Sequence, residues 1–247
     1  MFSLGFEQQL RSIIGQIRDD RQTLLFTATL RRTVQSLVAD FLVSPITITI
    51  GEENQANEDI HQEVVVLAEP EARLGWLEKH IPECLKRGKV LIFVNQVQTC
   101  NSLSSLFTNK LGIVSSTLHG EKNQFERTSI INSFKASDEL LIATDIASRG
   151  LDVREIKTVI NYDTPKDADT YIHRIGRTGR AGDKDGQAVT FLLDRDYKFA
   201  ILLTRILEAT GSPVPPEVEE VAMKDDRYRL KRLSTKMGVS FAKGYLY

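Results

Sequence analysis

The chain has 247 residues and a formal net charge of −1, with 33 acidic against 32 basic residues, so affinity for nucleic acid has to come from a local face. Hydrophobic residues make up 41% and charged residues 26%, as in a globular protein. No apolar run reaches the ~18 residues of a membrane-spanning helix, and no basic region precedes an apolar core near the start, so nucleus or cytoplasm is the expected location. Cys84 and Cys100 form no CxxC pattern, and His61, His80, His119 and His173 have no metal-ligand spacing, which argues against a disulfide framework and a structural metal.

In chain order, short apolar runs predict strands at residues 23–26, 46–50, 63–67, 90–94, 113–117, 140–143, 158–161 and 188–193. Most are β-branched and continuous rather than alternating, as in strands buried on both faces. Helical-period segments lie between them. Residues 73–87 form one, with Pro82 expected to kink or break it. Residues 97–110 form another, with Leu103, Leu106 and Phe107 on one face. Residues 123–136 open on Asn123 with Glu126 three positions later, the pattern of a capping box. This alternation predicts an α/β fold, a parallel sheet with helices on both faces.

Residues 51–59 carry four acids and no large apolar side chain, and read as a linker. Residues 1–50 before it are too few to bury a sheet of their own. After Gly211, Ser-Pro-Val-Pro-Pro breaks the last core helix, and residues 223–247 hold seven Lys or Arg against two Asp, a tail expected to pack loosely. The expected domains are therefore 1–50, 51–59, 60–211 and 212–247.

Residues 171–182, Tyr-Ile-His-Arg-Ile-Gly-Arg-Thr-Gly-Arg-Ala-Gly, concentrate three arginines and three glycines. If the helical period runs through 173–177, Arg177 and Arg180 can aim their planar forks at one anion, with Gly176 and Gly179 clearing a close approach to a polyphosphate. A second motif, Ala-Thr-Asp-Ile-Ala-Ser-Arg-Gly-Leu-Asp at 143–152, follows a strand. Thr144 and Asp145 then emerge at the carboxyl rim of the sheet, Gly150 permits a close backbone approach, and Asp152 suits ribose hydroxyls.

With these motifs the chain resembles the DEAD-box RNA helicases of superfamily two. Thr27-Ala-Thr29 resembles motif III, Leu91-Ile-Phe-Val-Asn95 motif IV, residues 143–152 motif V and residues 173–180 motif VI, in the family's order. The first residues resemble the segment after the Asp-Glu-Ala-Asp box. The resemblance implies a RecA-like second domain, preceded by an incomplete remnant of a first one, that works on ATP and Mg²⁺ held mainly by a domain this sequence does not contain. It implies that Arg177 and Arg180 are arginine fingers, that Asp152 and Gly150 contact the nucleotide, and that Thr27, Thr29, His173 and Arg174 couple the two domains. Gly120, Gln124, Arg127, Thr144 and Asp145 match positions that hold the RNA sugar-phosphate backbone, without base readout. Without the resemblance, Gln124 and Arg127 read as a solvated helix face. Asn95 and His119 read as hydrogen-bonded structural residues, and Phe93, Phe125 and Trp76 as core or cover.

No Gly-x-x-x-x-Gly-Lys-Ser/Thr occurs, and the one Gly-Lys pair, Gly88-Lys89, heads a strand. The paired acids that would hold Mg²⁺ are missing too. The expectation is a truncated helicase, inactive in isolation, whose remnant at 1–50 offers unpaired edges for self-association. A non-catalytic RNA-binding or protein-docking module is the other reading.

Overall fold

The computed structural model describes residues 6–27, 38–49, 59–137, 139–145, 153, 155–179 and 184–236. The chain divides into two compact units, Met1–Asn54 and Gln55–Tyr247.

In the first unit, helix α1 (Glu7–Ile14) buries none of its residues. Arg11 joins it to Asp40 at 2.8 Å and to Glu7 at 2.9 Å, with its guanidinium over the Phe41 ring. The strands expected at 23–26 and 46–50 do not form: residues 23–26 and 46–49 are irregular, and position 50 lies outside the described residues. A β segment needs a neighbour to pair its backbone groups, and β propensity alone supplies none. Phe26 and Ile46 are left 88% and 89% exposed, an unusual state for such side chains.

The second unit is built on one sheet of six parallel strands: β1 (Ile60–Leu67), β2 (Lys89–Val94), β3 (Ser116–Leu118), β4 (Leu140–Thr144), β5 (Ile156–Asn161) and β6 (Gly186–Leu193). Their order across the sheet is β1-β6-β5-β2-β4-β3. Helices make the crossovers: α2 (Ala72–Arg87), α3 (Val97–Leu106), α4 (Gln124–Ala136) and α5 (Ala168–Ile175). Beyond β6 follow α6 (Tyr197–Ala209), α7 (Pro216–Ala222) and α8 (Asp226–Lys236).

Strand residues alternate between two cores. Val90, Ile92 and Val94 of β2 join Leu77 and Ile81 of α2 and Leu103 of α3 on one face. Leu91 and Phe93 turn to the other face, against Phe134 of α4. Farther along that second face, Ala188 and Leu192 of β6 meet Tyr171 and Ile175 of α5 and Leu203 of α6. Because both faces are covered, the strands read as continuous apolar runs.

Three local expectations need correction. Pro82 does not break α2, which runs through it for 16 residues. Its ring lies on the exposed side, where water can serve the carbonyl it leaves unpaired, while Ile81 and Cys84 hold the helix to the core. The helix expected at 97–110 ends at Leu106 in a π turn, Phe107–Leu111, which Gly112 closes at φ 64° with Ile113 N–H donating to the Phe107 carbonyl. That turn draws in residues 113–115 and shortens β3. The basic tail is not loose up to residue 236: it forms α8, whose Arg232 binds Glu208 and Glu219 at 2.5 and 3.0 Å.

The capping box of α4 is complete. Asn123 Oδ1 accepts from Glu126 N–H at 2.9 Å, and Glu126 Oε2 accepts from Asn123 N–H at 2.8 Å. Asn123→Ala is expected to lower stability by about 1 kcal/mol, read as a shift of the urea midpoint at constant slope.

Candidate functional site

The carboxyl ends of the strands carry most of the polar residues singled out above. The chain leaves β2 toward β3 but leaves β5 toward β6, so these adjacent strands send their connections in opposite directions. Such a switch point opens the rim where open α/β sheets bind ligands.

Arg174 of α5 fills the base of this opening and is 1% exposed. All five of its N–H donors are engaged. Nε and Nη2 grip the two carboxylate oxygens of Asp145, after β4, at 2.6 and 2.9 Å. Nη2 also reaches Asn95 Oδ1, after β2, at 2.8 Å. Nη1 donates to the Asp163 carbonyl and to Asn161 Oδ1, at the end of β5, at 2.7 and 3.4 Å. The fork lies over the Phe93 ring, 5.2 Å from its centre. Around it, Asn95 donates its backbone N–H to Asp163 Oδ2 and its side-chain amide to the Thr164 carbonyl, while Arg73 holds Asp163 Oδ1 at 3.2 Å. A cation can be buried this deeply because every donor is matched.

This placement bears on two sequence assignments. Arg174, assigned to interdomain coupling, directs its whole guanidinium into its own unit. Asp145, assigned to RNA, offers both carboxylate oxygens to Arg174. His173 beside it is exposed. Arg73, Asn161 and Asp163 belong to the network but to none of the motifs; the one sign of them in the sequence is a strand that closes on polar residues.

Toward the β3 edge, Leu118 pairs with Ala143, which brings Gly120 and Thr144 onto neighbouring strand ends. Gly120 is exposed, with open space where a β-carbon would stand. The Thr144 hydroxyl takes no partner among the described residues. Helix α4 starts from the same rim, with Gln124 exposed and Arg127 half-buried. Phe125 is 84% exposed and so is neither core nor cover, because the first turn of α4 projects beyond the sheet. Trp76 stacks on His80 and meets Phe191 edge-on, and Phe93 is buried. His119 is buried, yet neither ring nitrogen has a partner among the described residues, unlike the bonded side chain expected. Burial, reinforced by the nearby Lys122, pushes its pKa below the usual 6.5 against the weaker pull of Glu121 and Glu126.

The arginine motif does not stay helical through Arg177. Helix α5 ends at Ile175, and Gly176 caps it where a β-carbon would meet the Ile172 carbonyl at 2.9 Å. Arg177, half-buried in the turn that follows, donates Nε–H to the His173 carbonyl at 3.1 Å. Thr178 Oγ1 then donates to the Ile156 carbonyl at 2.6 Å, and Gly186 lets the Gly179 backbone pass closely. The turn therefore lies over the amino ends of β5 and β6, away from the fork of Arg174. Thr29, Gly150, Asp152 and Arg180 lie outside the described residues, and Thr27 is exposed in the first unit. Among the described residues, no three His, Cys, Asp or Glu gather as a metal site.

Residues 72–182 match the family model described as "Helicase conserved C-terminal domain". The chain is 47% identical over 234 residues to "DEAD-box ATP-dependent RNA helicase 24" of Arabidopsis thaliana, covering 94% of this chain and 30% of that protein. Over nearly its whole length the chain is similar to DEAD-box proteins. It is also 43% identical over 236 residues to "ATP-dependent RNA helicase DDX42" of Homo sapiens, covering 94% of itself and 25% of that relative. The chain thus spans less than a third of the length of these curated DEAD-box proteins. Among solved structures it resembles S. cerevisiae Dbp5 bound to RNA and ADP BeF3, with TM-score 0.72, 26% identity, and coverage of 92% of this chain and 58% of that one. It also resembles the yeast DEAD-box splicing factor Prp28, with TM-score 0.62, 28% identity, and coverage of 100% and 53%. These neighbours carry the RecA-like parallel sheet found here.

Arg174→Ala leaves the carboxylate of Asp145 and the acceptors of Asn95 and Asp163 without their donor, and is expected to cost about 3 kcal/mol or more in urea unfolding. Arg174→Lys, a point charge without a fork, recovers only part of that loss. Burial makes His119 take its proton at lower pH in the folded chain than in the unfolded chain, where it does so near the usual 6.5. Its contribution is therefore complete above that pH and declines as pH falls below it. The urea midpoint of His119→Gln, compared at pH ~7.5 and ~5.5, should vary less than that of the unsubstituted chain.

Proposed function

We propose that this chain supplies the second RecA-like half of an ATP-dependent RNA helicase, contributing arginine fingers to ATP hydrolysis and part of the RNA backbone surface during local unwinding of a duplex. The observation that carries the reading is the set of motifs, in family order, on a helicase C-terminal fold whose rim gathers Gly120, Gln124, Arg127 and Thr144. An exposed glycine backbone, an amide, a guanidinium and a hydroxyl suit phosphate and sugar and read no base edge. Thr144, nearly buried at the β3 side of the rim, has a hydroxyl without a partner among the described residues.

In this reading Arg177 and Arg180 are the fingers on the γ-phosphate, Asp152 binds the ribose, and Gly150 contacts the nucleotide. Mg²⁺ and the phosphates are held by the other domain, since no P-loop occurs in these 247 residues. In the same reading His173, which is exposed, takes part with Thr27 and Thr29 of motif III in coupling the two helicase domains. Arg174 and Asp145 contribute by holding the rim in shape.

The chain alone is expected to show no ATPase above background, and RNA-stimulated hydrolysis once it is joined to a first RecA-like domain with its P-loop. Rapid hydrolysis by the chain alone would overturn the split-site account. In the joined protein, Arg177→Ala should lower kcat by about 10³-fold or more while RNA affinity at saturating ATP stays unchanged; retained turnover would reject the finger assignment. The exposed apolar residues of the first unit, Phe26 and Ile46 among them, are proposed to drive self-association. Sedimentation should then show dimers that Phe26→Glu with Ile46→Glu dissociates, and a monomer at all concentrations would count against it.

A further inference from the structure

The rim has a second concavity, on the β6 side of the Arg174 network and away from the proposed RNA patch. A cavity of about 370 Å³ opens between the loop after β5 and the first turns of α6. Its inner wall is apolar, formed by the buried Pro165 and Phe199 and the half-buried Leu202. Its lip is cationic: Lys166, Arg195 and Lys198 are all exposed there, and none takes a hydrogen bond or ion pair among the described residues. The single acid of the lining, Asp196, has one carboxylate oxygen accepting from the Leu193 N–H at 3.0 Å. On a chain with a net charge of −1, three cations against one acid around one hollow form a local positive field.

The distribution of charge decides the kind of occupant. A site for a buried phosphate or carboxylate would set a charged donor in the floor, whereas here the most buried side chains, Pro165 and Phe199, are hydrocarbon, the half-buried Thr164 and Tyr197 complete the lining, and the charges are on exposed residues. That arrangement fits an apolar side chain inserted into the hollow, with acids flanking it along the lip. Nucleic-acid backbone would satisfy the lip and leave the floor unused.

We propose that this hollow is a docking site for an acidic peptide segment of a partner protein, anchored by one large apolar or aromatic side chain. The site is wired to the rest of the rim: the Thr164 carbonyl at its edge accepts from Asn95, which in turn binds Arg174. The inference stands on the charge and shape of the hollow alone and does not require the helicase reading.

The test is fluorescence anisotropy of the full chain, without nucleotide, using a fluorescein-labelled peptide Asp-Glu-Asp-Phe-Glu-Glu-Asp as probe. The unsubstituted chain should bind it saturably, and K166E/R195E/K198E should bind it about tenfold more weakly or worse. The matched control K79E/K135E/R227E reverses three exposed cations elsewhere and should bind as the unsubstituted chain does. Equal loss in both variants would mean that bulk charge, not the hollow, holds the probe, and would overturn the proposal. A peptide with Ala in place of Phe should bind about tenfold more weakly; equal affinity would show that the floor is not used and would also overturn it. Since a charge-reversed variant can fail to fold, a probe carrying benzoylphenylalanine in place of Phe is crosslinked to the unsubstituted chain and the adduct mapped by mass spectrometry. Adducts within 164–166 or 195–202 support the site, and adducts confined elsewhere refute it. If oligouridylate displaces the peptide and itself crosslinks to those residues, the occupant is RNA and the peptide proposal falls.

Discussion

A guanidinium cannot be taken out of water unless each of its donors finds an acceptor, and Arg174 meets that condition by drawing together the ends of three strands. Asn95, Asp145 and Asn161 with Asp163 follow β2, β4 and β5, and each presents an oxygen to the same fork. Because the fork is planar, these oxygens must lie near one plane, which sets the relative heights of the strand ends. Phe93 closes the stack from the side of β2. The net contribution of such a buried charge to stability is modest, since desolvation offsets much of the attraction; what it supplies is position.

That position organises the rim into neighbouring parts. On the β3 side stand Gly120 and Thr144, with α4 starting beside them, as the proposed RNA contacts. On the β6 side, the loop whose Thr164 carbonyl is held by Asn95 forms the edge of the cationic hollow. Arg177 belongs to neither part. Its turn is pinned by Thr178 to the first residue of β5, so α5 carries the rim-holding arginine on one side and the proposed catalytic arginine at its far end. A short helix thereby links the two ends of the sheet.

Much of the fold was legible because its physics is local. Strands covered on both faces have to be apolar throughout, and such runs at 90–94, 140–143 and 188–193 became central strands. The capping box of α4 was readable from Asn123 and Glu126 alone, since both hydrogen bonds close within one turn. Failures came where a distant partner decides. Residues 23–26 and 46–49 have strand propensity without a sheet to join, whereas Pro82 sits in a helix that tertiary packing of Ile81 and Cys84 overrides. Residues 226–236 looked like part of a loose tail because the ion pairs that hold Arg232 come from Glu208 and Glu219, in other helices.

The sequence by itself determined the family resemblance, the α/β class and the identity of the polar residues that reach the rim, since spacing and side-chain chemistry within single motifs carry that information. Only the tertiary structure decided which of them face one another. It turned Arg174 and Asp145 inward as a pair, exposed Phe125, buried His119 with no partner among the described residues, and assembled the cationic hollow from residues about thirty positions apart. Those outcomes depend on how the ends of six strands are brought to a common height, which is a property of the packed sheet and is written in no single segment.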